Sequence, residues 1–401
     1  MKKISIKFIK NLFFNFLGYG MNAIILQLFI IPNLSRKLNI ESYGVFQTTL
    51  SIFQFIPATI SLSLNNFRLI LNNKVEYENF SLLNILGIIL GLICSCVLLI
   101  LTKCKLNFWE LILFLMINYL WMNSEYFIVE FRQKMEYEKI FFYNFLQGVG
   151  YIIGTYISFF IEIPLIIYFC GMLFGYIYTI KTTIISKEKI KKNKYYKKVK
   201  KEYIVLLFNN MIANILGICD RLMIMPMLGA DLVGVYTSSL IFTKLVSLVI
   251  SPVTGIILSY ISTQRRKDNK SFYKLLLVLL ILGIIGFILL FETREFILDL
   301  LYPIYAKEAI KYTKITISIA MIQMITGIIG PFVLKYCSLR YQGIYNIFSL
   351  GIYFIFVIFL IKKIEVKAIY YGTLISAIIK LFLYIFLYVT SDFKGGKVNE
   401  V

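Results

Sequence analysis

The chain predicts an all-α polytopic membrane protein of about twelve transmembrane helices, arranged as two parallel-repeat six-helix bundles. Three observations carry that prediction. Hydrophobic residues make up 59% of the 401 positions, charged residues make up 16%, and the mean hydropathy is +0.79, whereas soluble domains hold roughly 45–50% apolar residues. Apolar runs long enough to cross a bilayer recur along the whole chain, separated by short lysine-bearing segments. An internal echo relates the two halves: moved back by 190 positions, Leu228 to Leu240, LGADLVGVYTSSL, lies over Leu38 to Leu50, LNIESYGVFQTTL, without a gap. Leu38 meets Leu228, Gly44 meets Gly234, Val45 meets Val235 and Leu50 meets Leu240, while Glu41 meets Asp231 and Thr48 and Thr49 meet Ser238 and Ser239.

The runs expected to span cover 11–31, 43–65, 81–102, 108–129, 140–161, 163–185, 203–226, 232–258, 273–291, 315–336, 341–361 and 367–389. Each is long enough for roughly 30 Å of hydrocarbon at about 1.5 Å per residue. Only a tight turn around Glu162 and Pro164 separates the fifth from the sixth. The start, MKKISIKFIK, has the basic character of a signal-peptide n-region, but no A-x-A site follows, so the first run is expected to stay as a helix. Segment Phe296 to Tyr305, FILDLLYPIY, is too short to cross and is expected as an interfacial helix turn capped by Pro303.

Orientation follows from the lysine and arginine bias. With a cytoplasmic N-terminus, the inner segments carry Lys2, Lys3, Lys7 and Lys10, then Arg68 and Lys74, then Arg132, Lys134 and Lys139, and later Arg265, Arg266, Lys267 and Lys270. Outer positive charge, around Arg294, Lys307 and Lys311, is balanced by Glu292, Glu295, Asp299 and Glu308. Both termini are therefore expected inside. The densest basic run, Lys187 to Lys201, divides the chain into an N-terminal bundle (1–186), a cytoplasmic linker touching anionic headgroups (187–201) and a C-terminal bundle (202–401). Six helices per half give both halves the same orientation, with the echo at the corner between the first and second helices of each.

Composition excludes several classes. The net charge of +21 comes from short clusters between apolar runs, a membrane-topology pattern that argues against nucleic acid. Six cysteines form no CxxC pair and read as small core residues, and with no histidine the commonest metal ligand and near-neutral general base are missing. No Walker motif, GxSxG or metal-spaced cluster occurs, and no long external loop carries paired carboxylates. No enzyme and no cofactor are expected.

Charge held inside the membrane costs a few kcal/mol and marks function. Lys244 lies near the middle of the eighth run, on a face with Thr237, Ser247 and Ser251; Lys380 lies near the middle of the twelfth, on a face with Thr373, Ser376 and Tyr384. Either lysine could meet an anionic cargo in a wet cavity or pair internally with Glu125 or Glu130. Arg221 shares a face with Asn210, Asn214 and Gly217, beside Asp220 as a structural partner, while Arg68 is expected to snorkel to the headgroups. On the first helix Asn11, Asn15, Gly18 and Asn22 share a face, suited to interhelical hydrogen bonds or to sugar hydroxyls.

The signatures IIPNLSRKLNIESYGVF and DRLMIMPMLGADLVGVYTSS, together with ILDLLYPIYAKEAI and VEFRQKMEYEKI, resemble segments of bacterial polysaccharide biosynthesis proteins. These are oligosaccharide flippases of the multidrug/oligosaccharidyl-lipid/polysaccharide exporter superfamily. The resemblance implies a V-shaped, MATE-like pair of six-helix bundles in the bacterial cytoplasmic membrane. It implies movement of a polyprenyl-diphosphate-linked oligosaccharide to the outer leaflet by alternating access, alongside other polysaccharide assembly proteins. In this sequence Lys244, Lys380 and Arg221 would meet the diphosphate or acidic sugars, with Asn15, Asn22, Asn210 and Asn214 facing hydroxyls. Asp220, Glu125 and Glu130 are candidate proton or sodium sites. A MATE-type exporter of small amphipathic or cationic compounds is the alternative.

Overall fold

The computed structural model describes residues 6–70, 78–188, 196–215, 217–262, 267–337 and 339–391. Lys2, Lys3, Lys74, Arg265, Arg266 and residues 189–195 of the basic linker lie outside the described residues, as do the side chains of Asn11, Asn15 and Ser251. Among the described residues there is no strand. Among the described residues ten helices are long and apolar enough to cross a membrane, or eleven if one bent pair counts as a span. The protein is a multi-pass, all-α membrane protein. By packing it divides into two units, Met1–Val233 and Gly234–Val401.

In the first unit, α1 (Ile6–Ile24) runs into a π-helical segment, Ile25–Ile30, and then α2 (Ile31–Lys37). The widening has a local cause: Pro32 opens α2 without an amide to donate, and the Ile31 amide reaches back to the Leu26 carbonyl. α3 (Ile40–Ile70) starts where the Asn39 side chain accepts from the Ser42 amide at 2.7 Å. It is the hub of this unit, in contact with α4 (Glu78–Leu101), α5 (Phe108–Phe127), α6 (Val129–Gln133), α9 (Tyr196–Ile215) and α10 (Cys219–Leu228). Burial covers 72% of its most apolar stretch.

α7 (Tyr137–Ile161) and α8 (Leu165–Thr182) form a tight hairpin, turning at Glu162 in the left-handed region (φ 58°). The fifth and sixth runs are thus two separate helices. Small residues let their backbones meet: a β-carbon at Gly150 would sit 2.6 Å from the Cys170 carbonyl oxygen, and one at Gly154 would sit 2.7 Å from the Ile167 α-carbon.

The seventh run is not one helix. α9 ends at Ile215 and α10 begins at Cys219, and the amides of Gly217 and Ile218 bond to carbonyls only three residues back. Gly217 and the asparagines preceding it are poor helix formers. α9 and α10 lie by contact with the first unit, on α3. α10 ends at Leu228, Gly229 turns at φ 95°, and α11 (Ala230–Ser239) follows. Both copies of the echo therefore form a helix, a sharp corner and a helix.

The second unit opens within α11. Between Ala230–Ser239 and Ile241–Ile250, at the start of α12 (Ile241–Ser262), the chain bends by 42°. Thr237 and Ser239 donate to carbonyls three residues back, at 3.1 and 2.8 Å, a competition with the helical ladder that bends helices. α13 (Asn269–Glu292) is capped by Asp268, whose carboxylate accepts from the Ser271 hydroxyl at 2.6 Å and from the Lys270 and Ser271 amides. Those bonds, the Ser271 hydroxyl first, hold its carboxyl below the usual range. Burial covers only 11% of the apolar stretch of α13, which marks a lipid-facing helix.

α14 (Arg294–Leu301) is the short helix expected near Phe296, but Pro303 opens α15 (Pro303–Ala309) instead of closing α14. α16 (Thr313–Tyr336) is the hub of this unit, in contact with α12, α13 and α18 (Val366–Thr390), while α17 (Leu339–Ile364) pairs with α18. Phe272 stacks on Tyr388 with ring centroids 3.9 Å apart, at the centre of a cluster with Phe332 and Tyr336.

Candidate functional site

The amides expected to face a cargo are largely used to join helices. Asn22 of α1 is buried; its Nδ2 donates to Asn144 Oδ1 at 3.1 Å and Gln147 Oε1 at 3.0 Å, both on α7. Gln147 in turn donates to the Tyr143 hydroxyl at 2.7 Å, which fixes the direction of the chain of bonds. Asn22 Oδ1 has no hydrogen-bond partner. Replacing Asn22 by leucine is expected to lower stability by about 1–3 kcal/mol, because two buried acceptors lose their donor. Thermal unfolding in detergent micelles reads this. Asn15 lies on α1, and its side chain is outside the described residues.

Asn210 and Asn214 join the broken helix to α3. Asn210 Nδ2 donates to Ser63 Oγ at 2.7 Å, and Asn214 Nδ2 donates to the Ala58 carbonyl at 3.2 Å and Thr59 Oγ1 at 3.3 Å. These contacts fall just past Pro57, inside α3. Arg221, in the first turn of α10, donates from Nη2 to the Gly217 carbonyl at 2.7 Å, across the helix break. Asp220 beside it is 6% exposed, with the Cys219 thiol 3.6 Å from Oδ1. Placed in the first turn of α10, the Asp220 carboxylate lies at the positive end of that helix's dipole.

Glu125 and Glu130 belong to a polar clasp at one end of this unit. Glu125 accepts from Trp121 Nε1 at 3.3 Å, and its carbonyl accepts from Asn65 Nδ2 at 2.6 Å. Arg132 donates to the side-chain oxygens of Asn65 and Asn66, at 2.8 and 2.9 Å. Glu130 pairs with Lys134 and accepts the amides of Ile184 and Ile185, at 2.7 and 3.1 Å, so it anchors the turn after α8. Arg68 does not snorkel. It is 2% exposed and forms a two-pronged pair with Glu188, Nη1 to Oε2 at 2.9 Å and Nη2 to Oε1 at 2.5 Å. The Tyr126 hydroxyl and the ring of Phe80 complete its surroundings, and Ser81 donates to Glu188 at 3.0 Å. Glu188, taken from sequence as the start of a solvated linker, is thus drawn into the fold.

The two lysines expected at depth lie in the second unit, Lys380 at mid-helix in α18 and Lys244 in the first turn of α12, just past the bend. Lys244 is half-buried on α12, and Lys380 is half-buried on α18, its ammonium 5.5 Å from the centroid of the Tyr384 ring. Both helices pack on α16. The hydroxyls expected beside them are mostly engaged elsewhere. Ser376 and the α17 residue Ser349 share a hydrogen bond at 2.8 Å, Tyr384 donates to Asn346 at 3.4 Å, and Thr237 lies beyond the bend, bonded to the Gly234 carbonyl.

Solved structures with the same arrangement are transporters. A lipid II flippase, MurJ, in an inward closed conformation superposes with a TM-score of 0.74 over 96% of this chain and 88% of that chain, at 15% identity. An outward-facing multidrug resistance MATE family transporter of the MOP superfamily gives 0.62 over 95% and 93%, at 10% identity. A MATE in the bent conformation gives 0.61 over 93% and 92%, at 11% identity. The chain has the fold of these transporters. No protein-family model and no curated protein sequence matches it.

Within this transporter fold the first unit also holds a cavity of about 490 Å³ that contains none of the expected site residues. Glu41, Lys103, Lys105, Glu110 and Glu162 stand around an apolar floor that includes Phe46 and Leu165. Lys103 and Glu162 both adopt the left-handed backbone region, φ 56° and 58°. Among the described residues no group of three or more histidine, cysteine, aspartate or glutamate side chains could hold a metal, and the six cysteines form no disulfide.

Sequence reasoning missed the Arg68–Glu188 pair. The only signal for it was a lone acidic residue at the head of a basic run.

Proposed function

We propose that the protein is a flippase that moves a polyprenyl-diphosphate-linked oligosaccharide repeat unit from the cytoplasmic to the outer leaflet, for surface polysaccharide assembly. The observation that carries this reading is the pair of half-buried lysines, Lys244 and Lys380, on two helices that pack on α16 in one unit. An ammonium group is costly to keep within an apolar span, whether at mid-helix as Lys380 or just past the bend as Lys244, and an anionic headgroup is the cargo that makes it useful. Alternating access would desolvate only the head while the polyprenyl tail stays in hydrocarbon. The two bundles are read as parallel repeats with both termini cytoplasmic, in the bacterial inner membrane. Other polysaccharide assembly proteins are its proposed partners.

Arg221, at the helix break, is the third candidate for the diphosphate. Asp220 and Glu125 are the candidate proton or sodium sites. Glu130 suits that role less, since Lys134 and two backbone amides already occupy it. Asn22, Asn210 and Asn214 act in this reading as struts that hold the helices around the path, and Asn15 keeps the proposed role toward cargo hydroxyls.

The second reading, export of small amphipathic or cationic compounds, is favoured by the buried carboxylate of Asp220. Lys244→Ala and Lys380→Ala separate the two. In proteoliposomes each is expected to slow translocation of a lipid-diphosphate-oligosaccharide by about 10–100-fold, the worth of one charge-assisted hydrogen bond of roughly 1.5–3 kcal/mol. Unchanged translocation by folded variants would make both lysines structural and remove the argument for an anionic cargo.

A further inference from the structure

The exposed face of α9 changes character along its length. Tyr196, Val199 and Tyr203 turn into the core of the first unit, 8, 2 and 5% exposed. On the opposite face Lys197, Lys200 and Lys201 are exposed, and one turn further on the same face so are Ile204 (49%), Val205 (58%) and Phe208 (55%). Positions 197, 201, 204 and 208 repeat at three- and four-residue spacing, so the ammonium groups and the apolar side chains form a single stripe. Three lysines above three apolar groups on one open face trace the step from lipid headgroups to hydrocarbon. The lysines cover only about 6 Å along the axis at roughly 1.5 Å per residue, the depth of one headgroup layer.

The stripe is rigidly held. The Tyr203 hydroxyl donates to the Ile60 carbonyl at 3.0 Å, and Asn210 and Asn214 fasten the same helix further along. Among the described residues of α9, Glu202 is the one acidic residue exposed beside the lysines.

We infer that the start of α9 is a binding site for anionic phospholipid, with Lys197, Lys200 and Lys201 on the phosphate and Ile204, Val205 and Phe208 along the acyl chains. The site fixes the height in the membrane of the half-helix that ends at Ile215. It rests on the chain being a membrane protein and on α9 starting at a membrane surface, and it is independent of the cargo.

The test uses the full chain in nanodiscs of mixed phosphatidylglycerol and phosphatidylcholine, with lipid retention after extraction read by native mass spectrometry. The wild type is expected to retain phosphatidylglycerol selectively, and less of it as salt rises. The triple change Lys197→Gln, Lys200→Gln, Lys201→Gln is expected to weaken that retention on the order of 100-fold, at about 1 kcal/mol per surface lysine. The corresponding triple change to arginine keeps the charge and is expected to keep the lipid. Lys103→Gln with Lys105→Gln, far along the sequence at the 490 Å³ cavity, is expected to change nothing. Retention unaffected by the triple glutamine change, or lowered equally by the control, would overturn the site. Because no transport is measured, failure here leaves the flippase reading standing, and failure of transport leaves this site standing.

Discussion

Replacing Arg68 by alanine is expected to destabilise the protein by about 3–5 kcal/mol, because it strands the Glu188 carboxylate next to buried groups with no cation to meet it. The guanidinium is 2% exposed and donates to both Glu188 oxygens, and the pair closes over the rings of Phe80 and Tyr126. Lysine cannot replace it, since a point charge cannot make two parallel bonds to one carboxylate. Thermal unfolding of the purified protein in detergent is the measurement. Arg68→Lys should recover little, whereas Arg68→Met with Glu188→Leu should recover most of the loss, since a buried pair replaced by apolar groups of similar size is often neutral. An unfolding temperature unmoved by Arg68→Ala would contradict the burial of this pair.

Gly44→Val is the second large effect. A β-carbon at position 44 would lie 1.9 Å from the Ala230 carbonyl oxygen and 2.5 Å from its carbon, so even alanine cannot enter without backbone movement at the corner before α11. The expected loss is about 3 kcal/mol or more for valine, at the upper end of overpacking penalties, with a smaller loss for alanine. Gly234, its counterpart in the echo, fills the same need differently, because a β-carbon there would meet the buried Tyr305 ring at 2.7 Å. Gly20→Ala on α1 is the control: nothing lies within 4 Å of the added carbon, and the unfolding temperature should hold or rise. Equal tolerance at positions 44 and 20 would show that the corner is not packed as described.

These two predictions differ in how far the sequence announced them. Gly44 stood out because it recurs as Gly234 in an echo of thirteen positions, and both echo copies fold as helix, corner and helix. The kind of helices was legible for a related reason, since a bilayer demands long apolar runs whatever their neighbours do; their number was not, because twelve runs were expected and ten helices, or eleven with the bent pair, are long and apolar enough among the described residues. Arg68 and Glu188 are 120 residues apart, and no local pattern ties them together. Glu188 heads a lysine run that reads as a solvated connector, so its partner could not be guessed.

The asparagines were ambiguous in a different way. The same amide that could meet a sugar hydroxyl can also cross to a neighbouring helix, and Asn22, Asn210 and Asn214 do the latter. The break between Ile215 and Cys219 was hidden because apolar residues continue through it. Hydropathy registers depth and is blind to a lost turn. Lys244 and Lys380 stood out in the sequence because a charge inside an apolar run is rare, but the bend that puts Lys244 in the first turn of α12 did not, and the hydroxyls near them in sequence bond within the helix packing.

The account turns on what is carried. The most direct measurement is translocation by the unmodified protein of a fluorescent polyprenyl-diphosphate-oligosaccharide in proteoliposomes, read by the fraction of label that an impermeant reductant can reach from outside. The account predicts that reachable label increases with time only when the protein is present, and that small organic cations placed inside the same vesicles are retained. Label that stays put while such cations leave the vesicles would contradict it and establish the exporter reading in its place.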